Sequence, residues 1–423
     1  MKGLENMKVV KNNKQNLKKD FIWNTIGSTV NAFSSLFYMI IVTRLNGVTD
    51  AGIFTFAFST ATLFYIIGIY AGRTYQVTDS DKISNHDYLV NKYITCIAMI
   101  IFSIIFILYK NYSFNKTIII LVLCFLKMIE AFSEFFYAYM QKNNLLYKVG
   151  ISLTLKTFLS IFIFLVIDLL TRNILFSSVF MIISYLLIMF MYDFKQFKLS
   201  EIIKEPANKK NIIDIFIKGF FTFSLSFLTM YIINIPRYSV DRYLIDEFNT
   251  IFGILIMPAS AMVLLSQFVF QPLLMKIKSN LDENNYNALK KLIIKMALFI
   301  ILLGIFVLIL AYFLGIPVLQ LVYGVNLSQS RMSLMYIIIG SILYSIVIIF
   351  SNIMISMRVT FFQVIIYIVN VLISLFISYM LVNNFKVAGA CMAYCFTMII
   401  LFVCFMLLVI FSINSKVRKC QNG

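Results

Sequence analysis

Lys127, Glu130 and Glu134 stand within residues 117–140, a run that is otherwise apolar and includes IIILVLCFL. A charge at the centre of a bilayer costs at least ~2.5 kcal/mol, so such a side chain needs a partner or a task. Lys127 and Glu130, three apart, can pair on one helix. Glu134 comes eight residues before Lys142, and Lys156 eight after Lys148. On a helical hairpin turning near residue 145, both lie roughly 12 Å from its end. The shared depth predicts a Glu134–Lys156 pair and a quartet, Lys127, Glu130, Glu134 and Lys156, whose formal charges cancel. Two readings stay open: a self-neutralising structural cluster, or a site where Glu130 or Glu134 titrates or holds a cation.

The elements that must position these charges follow from composition. The chain has 423 residues, 61% hydrophobic and 13% charged, with a mean hydropathy of +0.91. No soluble core absorbs so much apolar surface at so low a charge. The class is an all-α polytopic membrane protein. Runs of about 20 apolar residues, the length of a helical span, number about twelve: 21–44, 51–76, 89–109, 117–140, 149–170, 174–192, 212–235, 251–275, 292–314, 332–355, 362–382 and 388–411. They are continuous and too long for barrel strands. The polar stretch 193–211 divides them six and six. The expected organisation is a cytoplasmic segment 1–20, a lobe 21–192, a linker 193–211, a second lobe 212–411 and a tail 412–423.

The net charge of +18 does not imply nucleic acid. With the N-terminus inside, inner segments hold 23 Lys and Arg against 8 in outer segments. This bias follows the positive-inside rule and puts both termini in the cytoplasm. The Lys-rich start is no cleaved signal, because its apolar run is too long and lacks a small-residue cleavage site. Five of six cysteines fall inside spans and read as small apolar residues. His86, the only histidine, reads as a solvated loop residue. No P-loop, HExxH, GxSxG or paired acidic metal motif is present.

Polar residues recur at helical spacing on four spans. The first carries Asp20, Asn24, Ser28, Asn31 and Ser35, and the second Thr55, Ser59, Thr62, Arg73 and Gln76. The seventh carries Lys218, Thr222, Ser226 and Thr229, and the eighth Ser260, Gln267 and Gln271. Such faces suit helices around a wet cavity, although small polar residues also pack helices together.

Four stretches stand out: FIWNTIGSTVNAFSSLFYMIIVTRLNGVTDAGIFTFAFS, YAGRTYQVTD, EAFSEFFYAYMQKNNLLYKVGISLTLK and NIPRYSVDRYL with FGILIMPASAMVLLSQFVFQPLL. They resemble the Wzx-type polysaccharide flippases of the multidrug/oligosaccharidyl-lipid/polysaccharide exporter superfamily. These are diffuse patterns spread over most of the chain, not catalytic signatures. The resemblance implies two six-helix lobes around a central cavity, rocking between inward and outward openings in the bacterial cytoplasmic membrane. It implies transport of a polyprenyl-diphosphate-linked oligosaccharide to the outer leaflet, not enzymatic chemistry. The implied partners are that substrate, membrane lipids and polysaccharide-assembly proteins. No cofactor is expected beyond coupling to a H+ or Na+ gradient, for which Glu130 or Glu134 is the candidate.

For a diphosphate head, Arg73 and Lys218 are the candidate cations, with Asn24, Asn31, Gln76, Gln267 and Gln271 lining the cavity. Arg offers a forked pair of hydrogen bonds and Lys a point charge. The competing reading is that both snorkel to the interface. Arg44, Arg237 and Arg242 are expected at the outer ends as a gate, with simple topology flanks the competing reading for Arg44. Pro236, Pro258 and Pro272 either bend the leading helices of the second half or mark their ends. Two rivals remain: a drug antiporter, which calls for a buried acidic residue in a smaller cavity, and a polysaccharide polymerase, which calls for a long outer loop that this chain lacks.

Overall fold

The computed structural model describes residues 2–70, 72–78, 83–196, 206–270 and 273–422, which contain helices and connecting turns but no strand. The chain forms two compact units, Met1–Phe223 and Ser224–Gly423. Ten helical segments among the described residues are long and apolar enough to cross a membrane. Two further spans complete the expected twelve. One is Phe114–Lys142, whose internal charges keep it out of a purely apolar count, and the other arises because Thr360–Asn422 holds two spans in one segment.

The first unit contains α1 (Lys2–Leu45), α2 (Val48–Ile69), α3 (Gly72–Thr78), α4 (Asn85–Lys110), α5 (Phe114–Lys142), α6 (Leu146–Thr171) and α7 (Ile174–Ile188). α1 lies against α6 along its membrane length. At one end Asp20 Oδ1 accepts the backbone N–H of Tyr147 at 2.7 Å. Midway Tyr38 and Ser160 share a buried hydroxyl–hydroxyl bond. At the other end Asn46 Nδ2 donates to Asp168 Oδ1 at 3.1 Å, and Arg172 Nη1 to the carbonyl of Leu45 at 2.6 Å. The close approach depends on Gly27 and Gly150: a Cβ on either would land on the backbone of the other helix. Small residues allow such contact between membrane helices, where no hydrophobic force drives association.

The expected second span, 51–76, is interrupted. α2 ends at Ile69, Tyr70 takes φ 45°, and a separate short helix, α3, begins at Gly72 with φ 75°. The end of α2 is held from α4: Lys92 Nζ donates to the carbonyls of Gly68 (3.1 Å) and Ile69 (3.0 Å), and Thr95 Oγ1 to that of Gly68 (2.8 Å). A cation at a helix C-terminus satisfies orphaned carbonyls and meets the favourable end of the dipole.

α4 begins with a capping box, Ser84 accepting from the Asp87 N–H and Asp87 from that of Ser84. The Asp87 carboxylate also accepts the Asn208 N–H (2.7 Å) and Asn211 Nδ2 (2.8 Å). It thereby ties the start of α8 (Lys209–Tyr243) to the first unit. Tyr70 adds a hydrogen bond to the Phe216 carbonyl and stacks on Phe223. These contacts explain why the boundary between units falls inside α8 and not in the polar stretch before it. His86 sits in the first turn of α4, not in a loop.

The second unit continues along α8 and adds α9 (Asp246–Phe270), α10 (Leu274–Asp282), α11 (Tyr286–Leu310), α12 (Ile316–Tyr323), α13 (Arg331–Ser356) and α14 (Thr360–Asn422). α13 is the most enclosed, packing on α9 and α14. α14 changes direction at Lys386, its one residue with non-helical backbone. Its two arms lie side by side, Thr397 reaching Ser374 and Asn370 reaching the Thr397 carbonyl. Pro236 and Pro258 are both inside helices, so Pro236 does not mark a helix end. Pro272 lies outside the described residues.

Candidate functional site

The charges that opened the sequence reading meet in the first unit, with different partners from those expected. Lys127 Nζ does pair with Glu130 Oε2, at 2.7 Å, and lies 4.7 Å above the Phe58 ring. Lys156 does not pair with Glu134. Its ammonium bonds Asp193 Oδ2 at 2.5 Å and also donates to Ser133 Oγ (2.8 Å) and Tyr137 OH (3.0 Å). Lys156 is 2% exposed and Asp193 fully buried. Glu134 Oε2 instead faces Arg73 Nε at 3.7 Å. The quartet is therefore part of a sextet of three ion pairs, still neutral in sum.

Local structure explains the exchange of partners. α7 ends in a wider π-turn, Met189–Asp193, that leaves Asp193 buried where the sequence suggests the first residue of a polar linker. The Tyr70 break turns Arg73 onto α3, beside α5. Matched depth on two helices gives no rotation about their axes, and rotation decided the pairing. Lys156 and Glu134 nonetheless border the same polar pocket, with Glu130, Asn31, Tyr137 and Tyr185. Thr157 donates to Asn31 Oδ1 at 3.4 Å across this space.

A second pocket opens where α2, α3 and α4 meet. Arg73 and Gln76 reach it from α3, Asn91 and Lys92 from α4, and Glu134 borders it as well. Gln76 and Asn91 are each 5% exposed. Three of its donors, Arg73 Nη1, Gln76 Nε2 and Asn91 Nδ2, are buried without a hydrogen-bond partner among the described residues. Each such group costs about 1–3 kcal/mol if left unmade, and all three ask for an acceptor. Asn91 and Lys92 were missed as site residues, Lys92 having served only as an inner-flank charge. The signal was there: Asp87, Asn91 and Thr95 fall four apart on one face of α4.

The other expected site residues are dispersed. Lys218 is exposed on α8 and does not border this pocket. The second-span stripe is divided, Thr55, Ser59 and Thr62 on α2 and Arg73 and Gln76 on α3; Ser59 and Thr62 bond carbonyls of their own helix. Asn24 is half-buried on α1, and Gln267 is exposed on α9. Gln271 lies outside the described residues. Arg44 and Arg242 are exposed, but Arg237 is not a rim residue: it is buried in the second unit over the Phe252 ring, at 5.7 Å.

The architecture is that of a multi-pass, all-α membrane protein. It is similar to an inward-facing multidrug resistance MATE family transporter of the MOP superfamily, with a TM-score of 0.71 at 11% identity, covering 93% of this chain and 99% of that one. It is also similar to the lipid II flippase MurJ in an inward closed conformation, with a TM-score of 0.64 at 16% identity, covering 93% and 90%. At these identities the likeness is one of fold. No protein-family model matches the sequence. In sequence, the chain is 28% identical over 331 residues to the capsular polysaccharide biosynthesis protein CapF of Staphylococcus aureus, covering 76% of this chain and 81% of that protein.

Proposed function

We propose that this protein is a flippase carrying a polyprenyl-diphosphate-linked oligosaccharide, the repeat unit of a cell-surface polysaccharide, from the cytoplasmic to the outer leaflet by alternating access. It works in the bacterial cytoplasmic membrane with both termini in the cytoplasm. The observation that carries this reading is the likeness to a capsule biosynthesis protein over most of both chains, on a fold shared with a lipid II flippase. The chemistry agrees. A sugar head with a diphosphate needs polar and cationic groups within the membrane, and its polyprenyl tail can stay in lipid. Arg73 is a candidate for the diphosphate, but it must exchange Glu134 for the anion to act. Lys218 is its candidate companion. Glu130 and Glu134, bordering one polar pocket, are the candidate groups for coupling to H+ or Na+.

The higher TM-score to a multidrug transporter favours a second reading, a small-molecule antiporter. Reconstituted vesicles separate the two. With a fluorescent polyprenyl-diphosphate sugar on one leaflet, the flippase reading expects transfer to the other leaflet faster than in empty vesicles, and no export of cationic dyes. Dye export without sugar-lipid transfer sinks the flippase reading. If Glu130 or Glu134 carries the coupling ion, an imposed pH or Na+ gradient changes the wild-type transfer rate but not that of the corresponding Gln variant.

A further inference from the structure

We propose that the pocket between α3 and α4 is a binding site for a phosphate oxyanion, held by Arg73, Gln76 and Asn91 beside the Lys92 ammonium. The residues that carry the three unpartnered donors line one space from two helices. Arg73 and Gln76, three apart, share one face of α3, and the adjacent Asn91 and Lys92 of α4 both border the pocket. All three orphans are N–H groups, which call for a ligand rich in acceptor oxygens. Two positive charges border the space against one carboxylate, Glu134. Lys92 has three ammonium protons and directs two to the end of α2.

Glu134 makes the site conditional. Its carboxylate faces Arg73 Nε at 3.7 Å, longer than a well-formed charge-assisted bond. An oxyanion in the pocket takes Arg73 by its unpartnered Nη1 and competes with Glu134 for the same guanidinium. Glu134 also borders the neighbouring pocket that contains Glu130 and Lys156. Filling the first pocket therefore changes the charge environment of the second. The ligand chemistry is shared by two sources, the diphosphate of a lipid-linked sugar and the phosphate of an anionic lipid headgroup. Only the first assignment rests on the flippase reading.

The test uses purified full-length protein and inorganic pyrophosphate, with binding followed by titration calorimetry. Wild type binds, and Gln76→Leu and Asn91→Leu each weaken binding roughly tenfold, as loss of a hydrogen bond to a charged group implies. Neither variant lowers the melting temperature, because an apolar replacement of an unmet buried donor is close to neutral. Glu134→Gln tightens binding, a result that a purely structural role for Glu134 does not give. Repeating the titration in phosphatidylcholine and phosphatidylglycerol nanodiscs separates the sources: loss of pyrophosphate binding only in phosphatidylglycerol assigns the site to a lipid headgroup. Transfer of the fluorescent sugar lipid is measured on the same preparations. If wild type binds pyrophosphate and transfers nothing, the site stands and the flippase reading fails. If wild type transfers the sugar lipid but pyrophosphate does not bind, or binds equally to every variant, the site is overturned and water satisfies these donors.

Discussion

The two units handle buried polarity differently. Among the described residues, the first buries six charged side chains, Asp87, Lys92, Lys116, Lys156, Asp168 and Asp193, and the second only Arg237. In the second, Ser351 Oγ donates to Gln363 Oε1 at 2.7 Å and Thr397 to Ser374 at 3.2 Å, both contacts between neutral groups. Neutral contacts cost little to bury and respond little to ions. Buried charges are expensive, and each here has an identifiable use. Lys92 and Asp87 hold helix ends, Lys116 lies over the Phe56 ring, Asp168 ties α1 to α7, and Lys156 with Asp193 closes the charged pocket. Buried charge among the described residues is thus concentrated in the first unit.

The largest effect should come from breaking the buried pair. Lys156→Met leaves Asp193 uncompensated and should destabilise the protein by about 3–5 kcal/mol. Lys156→Met with Asp193→Leu should recover most of that loss, measured as thermal unfolding in detergent. A double variant no more stable than the single one breaks the comparison. Asp87→Ala, which removes the cap of α4 and the tie to α8, should cost ~1–2 kcal/mol. Hydrogen exchange should rise at the start of α8 as well as in α4; a rise in α4 alone means the tie is incidental. Ser351→Ala in the second unit should cost ~0.5–1.5 kcal/mol, the value of a neutral hydrogen bond. Glu134→Gln breaks only a partly exposed pair and should change stability by less than ~1 kcal/mol. Its effect belongs in transfer rate and anion binding, so a large drop in melting temperature contradicts this division of roles.

The spans were legible because a membrane helix must be apolar for its whole length, a constraint written residue by residue. The pairings were not. Asp193 reads as the start of a linker and becomes the partner of Lys156, 37 residues earlier, only when α7 folds back. The break at Tyr70 has no strong local signal, since Tyr rarely adopts positive φ. It moved Arg73 off the expected stripe and onto Glu134. Lys92 shows the reverse failure: it was counted among the inner-segment charges, and such a count conceals that this side chain is buried within α4.

The pairing of α1 with α6 has a consequence for biogenesis. α1 meets this packing partner only once α6 has been made: Arg172, which closes the far end of that contact, lies 127 residues after Leu45. At roughly 5–20 residues per second, synthesis alone separates the two by on the order of ten seconds. Throughout that interval the polar face of α1, from Asp20 to Ser35, is without α6 beside it. The demand on assembly therefore falls on α1 and is relieved only when α6 has been made.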